Sequence, residues 1–159
     1  MWLSAALPRA RTVLPAGTWL IARAADAITL DFEARHRRRM RMTADGGLAF
    51  LLDLPDARVL QDGDGLACDN GLTIVVRAAD EALLEVRCTC ATELARVAYH
   101  LGNRHLSVQV LPDALRLRED HVIADMLRQM GAEVAPIRAP FTPESGAYAH
   151  AHGHAHAHG

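Results

Sequence analysis

The spacing of the apolar residues changes near residue 90, and this change predicts two domains of different architecture. Before residue 90, short apolar and β-branched runs are separated by turn-forming Gly, Asp and Asn, without a helical period of useful length. An Asp-Gly-Gly sequence at residues 45–47 is a typical hairpin connection. We therefore predict a small β-rich domain over residues 1–68. Its strands are expected at residues 19–22, 27–32, 37–42 and 48–54.

The second half of the chain has the pattern of a mixed domain, which we predict over residues 69–140. Strands are expected at residues 72–76, 82–88, 107–111, 114–118 and 133–137. One helix should end at Gly102-Asn103, and a second should begin at the N-cap Asp120 and stop at Gly131. The apolar face of the first helix is Leu94, Val97, Ala98 and Leu101, and that of the second is Val122, Ile123, Met126, Leu127 and Met130. From residue 82 the order is β-α-β-β-α-β, which predicts a ferredoxin-like domain within an α+β protein.

The end of the chain is predicted to be a flexible tail over residues 141–159. Residues 149–159 are only Ala, His and Gly, so no large apolar side chain offsets the entropy lost on ordering. Imidazole is a good ligand for nickel, copper and zinc, and its neutral, metal-binding form predominates near pH 7. The alternation with small residues favours loose, exchangeable metal binding over an expression tag, in which histidines are usually contiguous. The five tail histidines are His150, His152, His154, His156 and His158.

The charge and the residue types exclude several classes of function. A formal net charge of −2 argues against a protein built to bind nucleic acid or an anionic membrane. All 17 basic residues are arginine, so the chain has neither a phosphate-binding loop with its lysine nor a lysine nucleophile. Neither an HExxH motif nor a nucleophile elbow occurs. We predict that the protein is not an enzyme.

The cysteines and the hydropathy predict a cytoplasmic protein. An odd number of cysteines, Cys68, Cys88 and Cys90, indicates a reducing compartment. No apolar run approaches the roughly 20 residues that span a bilayer, and the N-terminal residues do not have the pattern of a signal peptide. The strand is expected to end at this point, with Cys88 buried and Cys90 at the start of the helix, which argues against a shared metal. Cys68 is expected to be buried.

Two histidines outside the tail are candidate metal ligands. His105 follows Gly102-Asn103 and should lie on an exposed loop, whereas His100 should pack beside the helix. A single histidine holds nickel or zinc poorly, but a two-fold dimer would supply a second His105. His121 opens the second helix, where the helix dipole favours the neutral, metal-binding ring. From the residues alone, His105 and His121 are equally compatible with surface positions and with metal ligands.

Several segments resemble the UreE family of urease accessory proteins. The run YHLGNRH at residues 99–105 is followed by SVQVLP, by DHVIADMLRQMG and by the junction PFTPESGAY at residues 140–148. In order and spacing these segments are similar to the metal-binding domain of that family and its entry into a His-rich tail, over roughly residues 90–159. The resemblance implies a homodimer whose second domains meet around His105. It also implies delivery of Ni(II) to the urease apoprotein together with the urease accessory GTPase and its companion proteins.

The same resemblance bears on two further residues. His121 matches a position where several members carry an auxiliary histidine. Two residues earlier, where another histidine is frequent, this chain has Glu119, which implies an oxygen ligand or a weakened auxiliary site. The function expected is therefore a nickel metallochaperone with Ni(II) as its cargo. Zn(II) or Cu(II) can bind the same donors, because imidazole chemistry alone does not select nickel.

Two alternative functions stay open at this point. The first is a metal-storage or buffering protein that acts through the His tail alone. The second is a nucleic-acid-binding module, because arginine occupies every odd position from 35 to 41 and would form one charged strand face. That face lacks the interleaved aromatic residues that stack on bases. A solvated outer face is favoured, and a docking patch for an acidic partner is a further alternative. The arginines concerned are Arg35, Arg37, Arg39 and Arg41.

Overall fold

The computed structural model describes residues 6–145 and divides the chain into two compact units between Ala79 and Asp80. The first unit contains a six-stranded mixed sheet in the order β2-β6-β5-β1-β4-β3. A 3-10 turn at Ile21–Arg23 and a one-turn helix, α1 (Phe32–Arg35), lie between strands. The strands are β1 (Arg9–Leu14), β2 (Asp26–Leu30), β3 (Arg39–Thr43), β4 (Ala49–Asp53), β5 (Gly65–Cys68) and β6 (Thr73–Ala78).

The β-rich character of the first unit agrees with the prediction, but its boundary and one strand differ. The predicted boundary at residue 68 lies too early, because β6 pairs with β5 and β2 and so completes the first sheet. The strand expected at residues 19–22 is absent. Trp19 instead donates its indole Nε1–H to the carbonyl of Gly63 at 3.1 Å, and its ring lies against Gly65, where a Cβ would stand only 2.7 Å away. This contact holds the segment in a turn.

The arginine-rich segment also differs from its prediction as one continuous strand. Arg35 lies in α1 and is fully buried, its Nη1 donating to the carbonyl of Leu60 at 3.1 Å. The strand begins only at Arg39. Asp31 caps α1 by accepting from the amide of Ala34 at 2.8 Å, and this local bond turns the chain before β3.

The second unit has the predicted β-α-β-β-α-β order. Its sheet order, β10-β7-β9-β8, is antiparallel throughout and is the ferredoxin-like arrangement. A hydrophobic core lies between this sheet and the two helices. The elements are β7 (Asp80–Arg87), α2 (Ala91–Asn103), β8 (Gln109–Val110), β9 (Leu115–Arg118), α3 (His121–Gln129) and β10 (Glu133–Pro140).

The helix faces largely follow the predicted periodicity. In α2, Val97 and Leu101 are buried, and Leu94 and Ala98 pack against them. In α3 the prediction fails at one position, because Val122 is 61% exposed. The side chain of Asp120 accepts from the amides of Val122 and Ile123, which fixes the first turn of α3. In this turn the side chain of Val122 faces solvent. No helix among residues 6–145 is long and apolar enough to cross a membrane.

The predicted tail begins later than residue 141. Phe141 is fully buried, and its ring lies 5.4 Å from the guanidinium carbon of Arg118. The amide of Thr142 donates to the side-chain oxygen of Gln109 at 3.2 Å, and that of Glu144 donates to the carbonyl of Val108 at 2.8 Å. Residues 141–144 are therefore part of the second unit. The reason is a single aromatic side chain, which a composition-based boundary overlooks.

Candidate metal site

His105 lies two residues beyond the end of helix α2 and has an uncommon backbone conformation. Its φ is 58°, which makes it the one non-glycine residue with positive φ within residues 6–145. The amide of His105 donates to the carbonyl of Gly102 at 3.0 Å, and the amide of Leu106 donates to the carbonyl of Leu101 at 3.3 Å. These two bonds define a Schellman motif with His105 at the left-handed position. The helix ends at Asn103, as predicted, but the left-handed residue is His105 and neither Gly102 nor Asn103.

Helix α3 ends in the same motif, and there the left-handed residue is glycine. Gly131 has φ 88° and donates to the carbonyl of Arg128 at 3.0 Å, while Ala132 donates to that of Leu127 at 3.0 Å. A left-handed residue with a Cβ costs about 1–2 kcal/mol relative to the usual conformation. At the end of α2 the left-handed residue is nevertheless a histidine with this conformational cost, and it is exposed. Backbone strain that is retained in this way is characteristic of functional positions.

The imidazole of His105 lies beside a cleft of about 200 Å³ that two acidic residues also line. Both Glu119 and Asp120 are exposed, and they follow β9 directly. From the sequence, His105 and Glu119 were each predicted as candidate ligands, but their proximity was not predicted. The remaining lining residues are Leu106, Ser107, Leu117, Arg118 and Ile123.

Asp120 has a structural task in this cleft. One carboxylate oxygen accepts from the amides of Val122 at 2.9 Å and Ile123 at 3.1 Å, so Asp120 is the N-cap of α3, as predicted. Glu119 carries no such duty towards the helix. Besides Asp120, the exposed Glu119 is the other acidic residue that lines this cleft.

We expect Asp120→Ala to lower the free energy of unfolding by about 1 kcal/mol, because two amides of the first turn lose their acceptor. Urea denaturation followed by circular dichroism measures the change. Asp125→Ala is the matched control. It removes an exposed carboxylate of the same helix that lies 3.5 Å from Arg128, and it should change stability by less than about 0.5 kcal/mol. Equal effects of the two variants would contradict the capping role.

His121 lies apart from the cleft that His105 lines. It is exposed at the first position of α3 and borders a second cleft together with Glu119 and Asp120. Glu119 and Asp120 line both clefts, whereas each histidine lines only one of them. Among residues 6–145, no group of three or more His, Cys, Asp or Glu side chains is arranged to hold a metal ion. Within these residues, His105 and Glu119 line one cleft together.

The remaining candidate ligands are less favourable. Cys90 is the exposed N-cap residue of α2, and Cys88 is half-buried; the pair borders a small cleft with Asp113. Burial raises the pKa of the Cys88 thiol, and the charges of Glu93 and Cys90 raise it further, which disfavours the metal-binding thiolate. Cys68 is buried, as predicted.

The two other histidine predictions have different outcomes. His100 is exposed and meets Tyr99 edge-on at 5.6 Å between ring centroids, so the prediction of a packed ring is wrong. The five tail histidines lie outside the described residues. A pair of leucines that brackets the helix end, Leu101 and Leu106, is the sequence signal that could have located the Schellman motif and its left-handed residue.

The fold and this site define a two-domain protein in which a ferredoxin-like unit presents a strained, exposed histidine to its surroundings. Residues 81–159 match the family profile described as UreE urease accessory protein, C-terminal domain, and residues 5–79 match the profile of the N-terminal domain of the same protein. The chain belongs to the UreE family of urease accessory proteins.

Individual relatives agree with this assignment. The urease accessory protein UreE of Rhodopseudomonas palustris strain HaA2 is 56% identical over 126 residues, which are 79% of this chain and 59% of that protein. That of Beijerinckia indica is 51% identical over 141 residues, or 89% of this chain and 81% of the relative. That of Rhodobacter capsulatus is 48% identical over 140 residues, or 88% of this chain and 86% of the relative.

Proposed function

We propose that this protein is a nickel metallochaperone that binds Ni(II) and delivers it to the urease apoprotein during urease maturation. Membership of the UreE family supports an accessory role in that process. The observation that carries the metal assignment is the left-handed His105, an exposed imidazole at a position where the equivalent helix end has Gly131. A side chain retained against backbone strain serves an interaction outside its own helix.

The metal site is proposed to form between two chains. His105 and Glu119 of one chain supply two donors, whereas nickel requires more, and a two-fold axis beside His105 would double the set. Two large apolar side chains are exposed near this end of the helices: Tyr99 on α2 at 66% and Val122 on α3 at 61%. Their burial in a homodimer would contribute to association.

The other predicted ligands receive secondary roles in this proposal. Glu119 is an oxygen ligand or a hydrogen-bond partner that orients the His105 ring, as carboxylates do at many histidine sites. His121 lies on the far side of the acidic pair and serves as an auxiliary ligand that receives or releases the ion. Zn(II) and Cu(II) are expected to compete for the same donors, because affinity for nitrogen ligands rises from nickel to copper.

The tail histidines are proposed to recruit nickel and to raise its local concentration at His105. Glu144, close to the end of the described chain, is bonded to the carbonyl of Val108, which is three residues from His105 in sequence. An extended peptide spans at most about 3.5 Å per residue, so the first tail histidine, His150, is at most about 20 Å from the anchor Glu144. A tethered ligand at this range acts at millimolar effective concentration.

The partners proposed are a second copy of this chain, the urease apoprotein with its accessory complex, and the urease accessory GTPase. The family assignment supports a place in urease maturation, and the compartment proposed for it is the cytoplasm. Few and exposed ligands suit transfer, because a partner can take the ion without opening a buried site.

The test is nickel titration by calorimetry, with mass determination by light scattering, on the chain ending at residue 148. We expect about one nickel per dimer, because the shared site lies on the two-fold axis. The variant His105→Ala should lose this binding, whereas His121→Ala and Glu119→Gln should weaken it several-fold. Loss of all binding when the tail is removed, with no effect of His105→Ala in the full chain, would support metal storage instead.

A further inference from the structure

We propose that one face of the first sheet is a docking surface for an acidic segment of a partner protein. The surface, here called the arginine face, consists of Arg9 and Arg11 of β1 and Arg39 and Arg41 of β3, with Asp53 of the intervening β4 at its centre. This proposal concerns the first unit and a protein ligand, and it does not depend on nickel binding.

The strand registers place these side chains together. Arg39 pairs with Asp53 and Arg41 with Leu51, while Arg9 pairs with Leu51 from the other side of β4. Alternation sends Ala10 of β1 and Leu52 of β4 inward, where both are buried. In β3, Met42 is buried, whereas Met40, between Arg39 and Arg41, is 46% exposed. A register shift between Ala10 and Thr12 leaves both Arg11 and Thr12 exposed on the outer side.

The five residues of the face carry a net positive charge, with four arginines and one aspartate. Asp53 lies 3.5 Å from Arg9, 3.7 Å from Arg11 and 3.8 Å from Arg39. These distances exceed the roughly 2.7–2.9 Å of charge-assisted hydrogen bonds, so the guanidinium donors are not saturated by the single carboxylate. Arg41 has no ion pair within the part of the chain that the structure describes. Three guanidinium groups thus share one carboxylate, and the fourth has none.

Other arginines of the same region have structural tasks, which sets the face apart. Arg38 donates its Nε–H to the carbonyl of Leu54 at 3.0 Å, and Arg35 is fully buried. By contrast, the side chains of Arg11 and Arg39 are 58% and 65% exposed. Long side chains at such exposure lose conformational entropy only when a ligand orders them, and bidentate carboxylates are the ligands that guanidinium geometry fits.

A neighbouring cleft favours a protein segment over nucleic acid. The cleft, of about 320 Å³, contains Arg11 at the edge of the arginine face and extends over Val13, Leu54 and Pro55 to Arg58. Apolar side chains beside guanidinium groups fit a segment that alternates carboxylates with apolar residues. The arginine face presents no aromatic ring for base stacking, which disfavours nucleic acid.

The probe is a fluorescein-labelled peptide of four Asp-Glu-Leu repeats, titrated with the full chain in EDTA and followed by fluorescence anisotropy. We expect Arg11→Glu with Arg39→Glu to weaken binding more than about 10-fold, because like charges then oppose each other across the contact. Arg23→Glu with Arg77→Glu is the matched control, with the same charge change at exposed residues elsewhere in the unit, and should weaken it less than about 3-fold.

A second variant gives the opposite sign and guards against misfolding of the double reversal. Asp53→Asn keeps the shape but removes the competing carboxylate, so it should tighten peptide binding about 2- to 5-fold. Equal weakening by both double variants, or no peptide binding at 1 mM, would overturn the proposal and leave a solvated face. Tighter binding of a 12-nucleotide single-stranded DNA than of the peptide would overturn it in favour of nucleic acid. Nickel titration on the same samples separates these outcomes from failure of the metal site.

Discussion

Replacing His105 with glycine is expected to remove nickel binding from the chain ending at residue 148 and, at the same time, to stabilise the protein by about 1 kcal/mol. Glycine accepts φ 58° without steric cost, so the Schellman motif at the end of α2 persists while the imidazole is lost. Nickel affinity should fall more than about 100-fold, because even outer-shell partners of metal ligands contribute 10- to 100-fold. Calorimetry and urea denaturation measure the two effects on the same sample.

Helix α3 supplies the matched control for this prediction. Gly131 occupies the equivalent left-handed position, so Gly131→His should destabilise the protein by about 1 kcal/mol and leave nickel binding at His105 unchanged. His105→Ala should lose nickel affinity without the gain in stability, because alanine keeps the Cβ. If His105→Gly destabilises the protein as much as Gly131→His does, the strain at His105 is not a cost retained for function. If His105→Gly binds nickel normally, the ligand lies elsewhere.

Much of the second unit could be predicted from its periodicity. The buried face of α2, with Val97 and Leu101, and the order of its six elements follow from apolar spacing and from the caps that begin and end the helices. These signals are local, since a helix satisfies its own backbone and needs only one apolar stripe. The N-cap Asp120 is predictable for the same reason.

The first unit was harder to predict because its contacts are distant in sequence. The parallel pairings of β1 with β4 and of β2 with β6 join segments that no short-range pattern connects. The alternation predicts Arg35 on a charged strand face. Instead, the N-cap Asp31 starts helix α1, and Arg35 lies in that helix and is fully buried. Local side-chain bonds of this kind override alternation, and they are recognised only once the partners are in place.

The candidate site shows the same division between local and distant information. The sequence predicts His105 as exposed and next to a helix end, and α2 does end at Asn103, but the left-handed backbone of His105 was not predicted. His105 follows the end of α2 and Glu119 precedes the start of α3, and the two residues line the same cleft because the fold places these helix ends near each other. Spacing along the chain contains no record of that proximity. The family resemblance, in contrast, implies a role for both residues without any geometry.

Phe141→Ala is expected to destabilise the protein by about 3 kcal/mol, the largest loss of stability anticipated for a single residue beyond β10. The ring is fully buried and stacks near the guanidinium of Arg118, a residue that also lines the His105 cleft. Its removal leaves a cavity at the point where the chain leaves the ferredoxin-like unit. Urea denaturation followed by circular dichroism measures the change in the free energy of unfolding.

Two truncations separate the anchor from the residues that follow it. A chain that ends after residue 145 keeps Phe141 and the bond from Glu144 to Val108, and should unfold at the same urea concentration as the full chain. A chain that ends after residue 140 loses both and should be destabilised as much as Phe141→Ala. In the full chain, Phe141→Ala should also weaken the coupling between tail and site, because the tether then starts from an unanchored segment and its effective concentration falls. Equal stability of the two truncated chains would show that the tail begins at residue 141 and that Phe141 anchors nothing.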